Sequence, residues 1–179
     1  MLATMLARDP SSADYGPIDL APVGQRRAGA WTSRFDAKAM RLATRLHPTP
    51  VHGHAATLAQ AVDALLSNAW RYSDAGTTVH LTIEPRRGQA CIEIVDHGIG
   101  IIAADMPHVR DRFFRADRTR SRTIGGSGLG LALVNAIAAA HGGTLELIST
   151  PGEGTRAQLW LPLATDPDSR NESCETDTP

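Results

Sequence analysis

The residues best suited to chemistry lie in a glycine-rich stretch, residues 125–134, that passes directly into an apolar segment. Four of its first six residues are glycine. Glycine lets backbone N–H groups approach a ligand closely, and the start of a helix adds unpaired N–H groups and the positive end of the helix dipole. A phosphate gains most from such a site. The stretch therefore predicts either a phosphate-binding loop or a simple glycine hinge before a helix.

A second motif is acidic and consists of Asp96 followed by Gly98 and Gly100. It comes directly after a predicted strand at residues 90–95. An unpartnered carboxylate at the end of a buried strand is costly, so Asp96 either caps its own turn or accepts a hydrogen bond from a ligand. The two glycines allow the chain to pass close to such a ligand.

The third motif lies on the most regular helical pattern of the chain, at residues 57–72. An apolar stripe predicts the buried face of this helix: Val62, Leu65, Leu66 and Ala69. Helical spacing gathers a second group of residues on the adjoining face: Ala64, Asn68, Arg71 and Tyr72. Arg71 is suited to neutralising a phosphate, whereas Tyr72 suits either a contact with a base or the core.

The elements that must position these motifs follow from the apolar periodicity. Strands are predicted at residues 40–46, 77–84, 90–95, 144–149 and 155–163, with a turn at 85–88. The glycine-led helix should run to Ala140 and end at His141-Gly142-Gly143, where His141 would be a favourable charge at the helix C-terminus. A short helix is predicted at 1–9, a linker at 10–22 with a short extended piece around Ile18 to Leu20, and a weak helix at 23–36.

Strands joined mainly as hairpins, with helices covering one face, predict an α+β fold, a two-layer α/β sandwich. The glycine motif follows a long polar segment, residues 103–126, and not a strand, which argues against a dinucleotide-binding Rossmann unit. A polar segment of this length in a compact domain predicts a functional lid. We expect Phe113 and Phe114 to anchor it.

The composition excludes several classes of protein. A net charge of −1 over 179 residues gives no bulk argument for nucleic acid, and we expect no membrane segment in this chain. The two cysteines, Cys91 and Cys174, are far apart and predict no disulfide, which favours a reducing, cytoplasmic compartment. Residues 164–179 are acidic and almost without apolar side chains, so this tail should be disordered.

Four motifs in order resemble the N, G1, F and G2 boxes of the ATP-binding domain of sensor histidine kinases. They are Asn68-Ala69-x-Arg71-Tyr72, Asp96-x-Gly98-x-Gly100, Arg112-Phe113-Phe114-Arg115 and Gly126-x-Gly128-x-Gly130. The ending from Gly154-Thr155 to Leu161-Pro162 also looks like the last strand of that family. The family belongs to the wider ATPase group shared with gyrase-type topoisomerases and MutL proteins.

The resemblance implies a Bergerat-type ATP-binding fold, a mixed sheet with helices on one face and a flexible ATP lid, with ATP and Mg²⁺ as cofactors. It implies that Asn68 is the magnesium ligand, that Asn68 and Arg115 are catalytic, and that Asp96 accepts a hydrogen bond from the adenine amino group. The other residues implied in nucleotide binding are Arg71, Tyr72, Gly98, Gly100, Ile101, Arg115, Gly126, Ser127, Gly128, Leu129, Gly130, Leu131 and Thr155.

The domain organisation expected from the resemblance has three parts. Residues 1–15 would be the remnant of a dimerisation helix and linker, 16–163 the catalytic domain and 164–179 the tail. None of the seven histidines is followed by an acidic and then a basic residue, the pattern of a phosphoacceptor. The γ-phosphoryl group of ATP would therefore go to a histidine on a partner protein or a missing segment, and indirectly to a response regulator.

Two departures from the family pattern affect catalysis more than binding. Ala64 stands where relatives usually carry Asn or Glu, and Arg110 replaces the first aromatic residue of the F box. A methyl group cannot orient a nucleophile. Two alternatives therefore stay open: an anti-sigma-type kinase that acts on serine, and a catalytically weak nucleotide-binding regulator.

Overall fold

The computed structural model describes residues 15–114 and 128–164. In chain order these form β1 (Tyr15–Asp19), α1 (Leu20–Ala37), β2 (Arg41–Leu46), β3 (Pro50–His54), α2 (Ala55–Tyr72), β4 (Thr78–Arg86), β5 (Gln89–Val95), α3 (Gly130–Ala140), β6 (Thr144–Thr150) and β7 (Gly154–Pro162). The predicted helix at 1–9, the second half of the lid and the acidic tail lie outside the described residues. No described helix has the length and apolar content needed to span a membrane.

Five strands form one mixed sheet in the order β2-β4-β5-β7-β6. The β2–β4 pair is parallel and the other three pairs are antiparallel. The β4–β5 hairpin turns at Arg87 and Gly88, whose positive φ values of 54° and 75° suit a two-residue turn. The turn predicted at 85–88 is therefore wrong at its start, because Pro85 lies within β4 and pairs with Ala90.

One hydrophobic core lies between the sheet and the three helices. Strand residues of alternating position supply its floor, among them Val79, Leu81, Ile83, Ile92, Ile94, Leu159 and Leu161. The predicted stripe of α2 supplies its centre, and Val62, Leu65, Leu66 and Ala69 are all at most 2% exposed. The two-layer α/β sandwich predicted from the sequence is confirmed.

The start of the domain differs from the prediction. Asp19 caps α1: its Oδ1 accepts hydrogen bonds from the backbone N–H of Ala21 at 3.0 Å and of Thr49 at 2.8 Å. The helix therefore begins at Leu20. The extended piece predicted around Ile18 to Leu20 falls partly in β1, whereas the linker prediction is wrong at residues 15–17, which lie in β1, and at 20–22, which lie in α1. No pattern in the sequence predicts β3, which forms a two-stranded sheet with β1 and makes one further bridge, from Val51 to Leu163.

The sheet face opposite the helices carries a polar network. Glu93 Oε2 accepts hydrogen bonds from Arg86 at 3.1 Å and from Gln158 at 2.6 Å. Trp160 donates its indole N–H to Glu146 at 3.0 Å. Cys91 lies in the same layer, and its burial raises the pKa of the thiol to about 11, so this cysteine is unreactive at neutral pH.

Candidate nucleotide-binding site

The site forms where α2 meets the N-terminus of α3. A Cβ atom built on Gly130 would lie 3.4 Å from Asn68 Oδ1, so the amide of Asn68 stands directly against the first turn of α3. Two sequence motifs that are about sixty residues apart are thereby brought together. An oxygen donor and a set of helix N–H groups face the same space, which suits a phosphate with a hard cation.

The first turn of α3 differs from those of α1 and α2 because its N-cap residue supplies no side-chain acceptor. The side chain of Asp19 caps α1, and His54 Nδ1 caps α2 by accepting from the Thr57 N–H at 3.3 Å. At α3 the N-cap residue is Leu129, whose side chain makes no capping hydrogen bond. Leu129, like the neighbouring Leu131, is half-buried. Within residues 15–114 and 128–164 no side-chain cap of this helix start is seen, so its N–H groups are candidates for binding a phosphate.

Asp96 lies at the other end of the site, directly after β5. Its Oδ1 accepts hydrogen bonds from the N–H groups of Gly98 at 2.9 Å and Thr155 at 3.2 Å. Its Oδ2 has no hydrogen-bond partner among residues 15–114 and 128–164, although the residue is only 9% exposed. Burial raises the pKa of the Asp96 carboxyl, while the Gly98 and Thr155 N–H groups and the charge of His97 act in the opposite direction. Oδ2 is therefore an open acceptor on a largely buried carboxylate, which suits a hydrogen-bond donor of a ligand.

The Asp96 loop is held against α2 and the β6–β7 turn by close backbone contacts. The Ile99 N–H donates to the carbonyl of Tyr72 at 3.0 Å, and the Gly152 N–H donates to the carbonyl of Ile99 at 2.8 Å. A Cβ on Gly98 would lie 2.2 Å from the Tyr72 carbonyl oxygen. At Gly100, where φ is 68°, a Cβ would lie 2.1 Å from the Thr150 carbonyl oxygen. Only glycine fits either position.

Ser149 is a site residue that the sequence analysis did not single out. Its Oγ accepts a hydrogen bond from the Ile101 N–H at 2.9 Å and lies 2.8 Å from both the Gly154 carbonyl oxygen and Thr155 Oγ1. The N–H of Ile101, a predicted binding residue, is therefore engaged within the protein. The one sequence signal for Ser149 was its place at the end of a strand that leads to Thr155.

The C-terminal turn of α2 is fixed by Lys38. The Lys38 ammonium donates to the carbonyl oxygens of Trp70 at 2.6 Å and Ser73 at 2.7 Å, and it lies 5.1 Å from the centre of the Trp70 ring. Arg71 and Tyr72 lie within this turn and are half-buried. The carbonyl of Tyr72, through Ile99, ties the turn to the Asp96 loop.

The first part of the lid corrects one prediction. Phe113 does not anchor the lid, because its side chain is 71% exposed and its φ is 65°. Phe114 is half-buried beside His108, with ring centres 5.7 Å apart. The apolar contacts of residues 103–114 with the core come from Met106 and Val109. Arg115, Gly126 and Ser127 lie outside the described residues.

Gly128 connects the lid to α3. The Phe113 N–H donates to the Gly128 carbonyl at 3.0 Å. Gly128 has a φ of 68°, and a Cβ there would lie 2.7 Å from the Phe114 carbonyl oxygen. The glycine is therefore required by close approach of the lid backbone, in addition to any approach of a phosphate.

His141 does not act as a charge at the end of α3. The ring is 7% exposed, its Nδ1 lies 2.8 Å from the Ile137 carbonyl, and its Nε2 accepts from the His54 N–H at 3.2 Å. A carbonyl can only accept and an amide N–H can only donate, so the ring carries its proton on Nδ1 and is neutral in this arrangement. His141 therefore fastens the C-terminus of α3 to β3.

Residues 53–165 match the family described as histidine kinase-, DNA gyrase B-, and HSP90-like ATPase, and this range is more than half of the chain. The chain belongs to this ATPase family. The sensor-like histidine kinase SenX3 of Mycolicibacterium smegmatis is 43% identical over 125 residues, which are 70% of this chain and 33% of that protein. The signal transduction histidine-protein kinase BaeS of Escherichia coli is 31% identical over 151 residues, 84% of this chain and 32% of BaeS.

Solved structures agree with this assignment of the ATPase domain. The mycobacterial sensor histidine kinase MprB matches with a TM-score of 0.73 and 29% identity, covering 85% of this chain and 99% of that one. The chain spans about a third of the length of the curated relatives it matches. It therefore corresponds to the ATP-binding catalytic domain of histidine kinases.

The residues of this ATPase domain fit ATP at both ends of the site. Asp96 Oδ2 is an unused acceptor for an amino group, and the loop glycines leave room for a base to approach. The open N–H groups of α3 suit phosphates. The described residues contain no cluster of three His, Cys, Asp or Glu side chains. Among the residues that the structure describes, Asn68 offers a side-chain oxygen for a cation beside the first turn of α3.

Proposed function

We propose that the chain transfers the γ-phosphoryl group of ATP to a histidine on a separate protein or segment, with Mg²⁺ as cofactor. The observation that carries the proposal is the convergence of Asn68 with the uncapped start of α3, at one end of a site whose other end is the unpartnered oxygen of Asp96. These are a cation ligand, a phosphate cradle and an adenine acceptor in the order that ATP requires.

Each residue has a distinct task in this proposal. Asp96 accepts the adenine amino group, and Gly98 and Gly100 let the loop lie close to the base. The backbone of residues 128–131 would hold the phosphates, and Asn68 Oδ1 would be the protein ligand of Mg²⁺. Arg71 and Tyr72 border the nucleotide at the end of α2. Arg115, Gly126 and Ser127 would complete the contacts with the phosphates.

The reaction exchanges one phosphorus bond for another. A nitrogen of the acceptor imidazole bonds to the γ-phosphorus, the bond from that phosphorus to the bridging oxygen breaks, and ADP leaves with the electron pair. Mg²⁺, when bound, neutralises charge on the phosphates. The contribution of this chain is positioning and electrostatic stabilisation, which dominate phosphoryl transfer. Because ATP is supplied in the cytoplasm, the domain would act there.

The acceptor comes from outside this chain in our proposal. A histidine-containing dimerisation protein or domain would supply it, and a response regulator would receive the phosphoryl group afterwards. The support is that no histidine of this sequence has the phosphoacceptor pattern and that the relatives are named sensor histidine kinases. No contact with nucleic acid is proposed.

A transfer assay tests the proposal. The chain is incubated with γ-labelled ATP, Mg²⁺ and the separately produced histidine-containing dimerisation segment of the SenX3 relative. We expect label on that segment that is lost in acid and stable in base, as for phosphohistidine. The segment with its histidine changed to alanine is the matched control. Acid-stable label would contradict the assignment of a histidine acceptor and would favour transfer to serine.

One observation favours a second candidate function, a nucleotide-binding regulator with little catalysis. Ala64 presents only a methyl group one turn before Asn68. The neighbouring carboxylate does not replace it, because Asp63 accepts hydrogen bonds from Arg27 at 3.0 Å and from the Trp31 indole at 2.9 Å on α1. ATP binding without any label on the partner segment would support this second function.

A further inference from the structure

Ser149 uses its whole hydrogen-bonding capacity inside the protein. A serine hydroxyl has one proton to donate and two lone pairs to accept. The Gly154 carbonyl, 2.8 Å away, can only accept, so it takes the proton of Ser149 Oγ. The Ile101 N–H, 2.9 Å away, can only donate and occupies one lone pair. One lone pair of Ser149 is left for its third neighbour, Thr155 Oγ1 at 2.8 Å.

This arrangement fixes the polarity of the Thr155 hydroxyl. Because Ser149 has no proton left to give, Thr155 Oγ1 must donate its own proton to Ser149. Thr155 then has lone pairs and no proton for any other neighbour. The backbone N–H of the same residue donates to the Asp96 carboxylate at 3.2 Å, so this hydroxyl belongs to the residue that borders the proposed adenine acceptor.

We propose that Ser149 is a positioning residue for nucleobase selection: by taking the proton of Thr155, it makes the Thr155 hydroxyl a second acceptor beside Asp96. The site then presents two acceptors to the base edge, either directly or through one bound water. An edge that carries a donor, such as the 6-amino group of adenine, is favoured over an edge with a carbonyl at that position. A site built to pair with a donor rejects an analogue that lacks it, because buried polar groups are left unpaired.

The Ser149 hydroxyl also connects the segment after the Asp96 loop with the start of β7. Ile101 follows the Asp96 loop, whereas Gly154 and Thr155 begin β7, which pairs with β5. The Ser149 Oγ atom touches all three residues. A change at Ser149 thus alters the direction of the Thr155 proton without removing any group that touches the nucleotide. This inference rests on the proposed adenine site and extends it to the choice of base.

The test compares ATP with inosine triphosphate, which has a carbonyl at position 6 in place of the amino group. Dissociation constants of the full chain for both nucleotides are measured by titration calorimetry with Mg²⁺. In Ser149→Ala the Thr155 hydroxyl is released to rotate and can donate to the inosine carbonyl. We expect the preference for ATP over inosine triphosphate to fall by about tenfold, the size of one hydrogen bond.

Matched variants distinguish a role of Ser149 in base selection from a role only in stabilising the fold. Ser149→Thr keeps the hydroxyl and should keep the wild-type preference. Thr155→Val removes the hydroxyl that Ser149 acts through, and in that background Ser149→Ala should leave the preference unchanged. Ser149→Cys keeps the size of the side chain with a weak hydrogen-bonding group, and it replaces Ser149→Ala in the comparison if the alanine variant does not fold.

A purely structural role for Ser149 makes a different prediction. It would weaken both nucleotides equally and leave their ratio as in the wild type, which would overturn the inference. The Asp96→Asn variant is measured alongside. If it loses ATP affinity while Ser149→Ala keeps the wild-type ratio, only the inference is wrong. If Asp96→Asn binds ATP as the wild type does, the proposed adenine site itself is misplaced.

Discussion

At the scale of single residues, the largely buried carboxylate of Asp96 affects the stability of the fold. Burial raises the pKa of its carboxyl, so the folded protein favours the protonated form more than the unfolded chain does. The stabilising contribution of the protonated group is complete at low pH and is lost as the pH rises through the raised pKa. At neutral pH the ionised Asp96 therefore lowers the free energy of unfolding.

The first prediction concerns this cost. Asp96→Asn keeps an oxygen for the Gly98 and Thr155 N–H groups and removes the buried charge. We expect this variant, without nucleotide, to melt at a higher temperature than the wild type at pH 7. The difference should shrink as the pH falls through the Asp96 pKa. Calorimetric melting across that range checks this, and a variant that melts lower at pH 7 would mean that the carboxylate is needed by its turn.

The second prediction concerns Ala64. If ATP binds as proposed, position 64 lies one helical turn from Asn68, and a methyl group there cannot align a nucleophile. The chain alone should hydrolyse ATP very slowly even when saturated. Ala64→Asn should raise the rate of transfer to the partner segment by up to about 100-fold, which is the low end of the rate contribution of a positioned catalytic side chain. The ATP affinity should change little.

Initial rates of transfer and calorimetric affinities check the Ala64 prediction. Ser67→Asn, one residue before Asn68 on the same helix, is the control for adding an amide without placing it on the Asn68 face. Brisk turnover of the wild-type chain alone, or an unchanged rate in Ala64→Asn, would show that the rate is set elsewhere.

Single residues could be singled out from the sequence where they belong to local motifs. Asp96, Asn68 and the loop glycines stood out because each lies at a fixed place on one element. His141 and Ser149 did not. The Nε2 partner of His141 is 87 residues away along the chain, and the Ile101 N–H is 48 residues from Ser149. Residue types alone do not indicate such long-range pairs. The sequence therefore predicts a charge at the end of α3 where the structure has a buried, neutral His141.

At the scale of elements, His141 at the C-terminus of α3 packs closely against Gly53 of the β1–β3 pair. A Cβ on Gly53 would lie 2.8 Å from His141 Cδ2 and 3.0 Å from Leu58 Cδ1. Gly16 pairs with Gly53 across the two strands and has nothing within 4 Å of the same built atom. The two glycines therefore form a matched pair in which Gly53 is closely packed and Gly16 has free space for a methyl group.

The third prediction uses this pair. Gly53→Ala should lower the free energy of unfolding by roughly 1–3 kcal/mol, as overpacking does, because neither His141 nor its backbone partners can move freely. Gly16→Ala should be neutral or stabilising by about 0.5 kcal/mol. Urea unfolding of both variants measures the difference. Equal effects of the two substitutions would show that His141 does not fix β3.

The lid is the element expected to respond to nucleotide. Residues 103–114 are held by turn hydrogen bonds such as Asp105 to Ile102 and Asp111 to His108, with Met106 and Val109 as apolar contacts. Such a segment should open locally at low cost.

The fourth prediction follows. Amides of residues 103–114 should exchange hydrogen faster than those of α2 without nucleotide, and more slowly once a non-hydrolysable ATP analogue and Mg²⁺ are added. Strand β4, which lies between β2 and β5 inside the sheet, is the internal control. Equal exchange of the lid with and without the analogue would indicate that it is only a surface loop.

Elements were predictable in proportion to the length and regularity of their patterns. The apolar stripe of α2 and the alternation in β4, β5 and β7 gave their positions within a few residues. The pair β1–β3 was missed because Pro50-Val51-His52-Gly53-His54 has neither a run of β-branched residues nor a hairpin turn. Its partner strand comes from a different part of the chain, and α1 lies between them.

At the scale of the whole molecule, the sandwich has two unlike sides. One side of the sheet carries the helices, and the nucleotide site lies at the edge where α2, α3, the Asp96 loop and the β6–β7 turn meet. The other side is a polar network around Glu93. The architecture was predictable because hairpins and amphipathic helices leave few alternatives. The proposed site rests in outline on motifs that resemble those of the family, whereas its internal hydrogen bonds could not be predicted from the sequence.

The most direct test of the account is a calorimetric titration of the full chain with Mg²⁺ and ATP. We expect one nucleotide per chain and, in Asp96→Asn, an affinity that is roughly ten- to a hundredfold weaker, because one charge-assisted hydrogen bond is lost. Asp74→Asn, the same change at an exposed position after α2, should bind as the wild type does. Equal affinity of Asp96→Asn and the wild type, with both proteins folded, would contradict the proposed site.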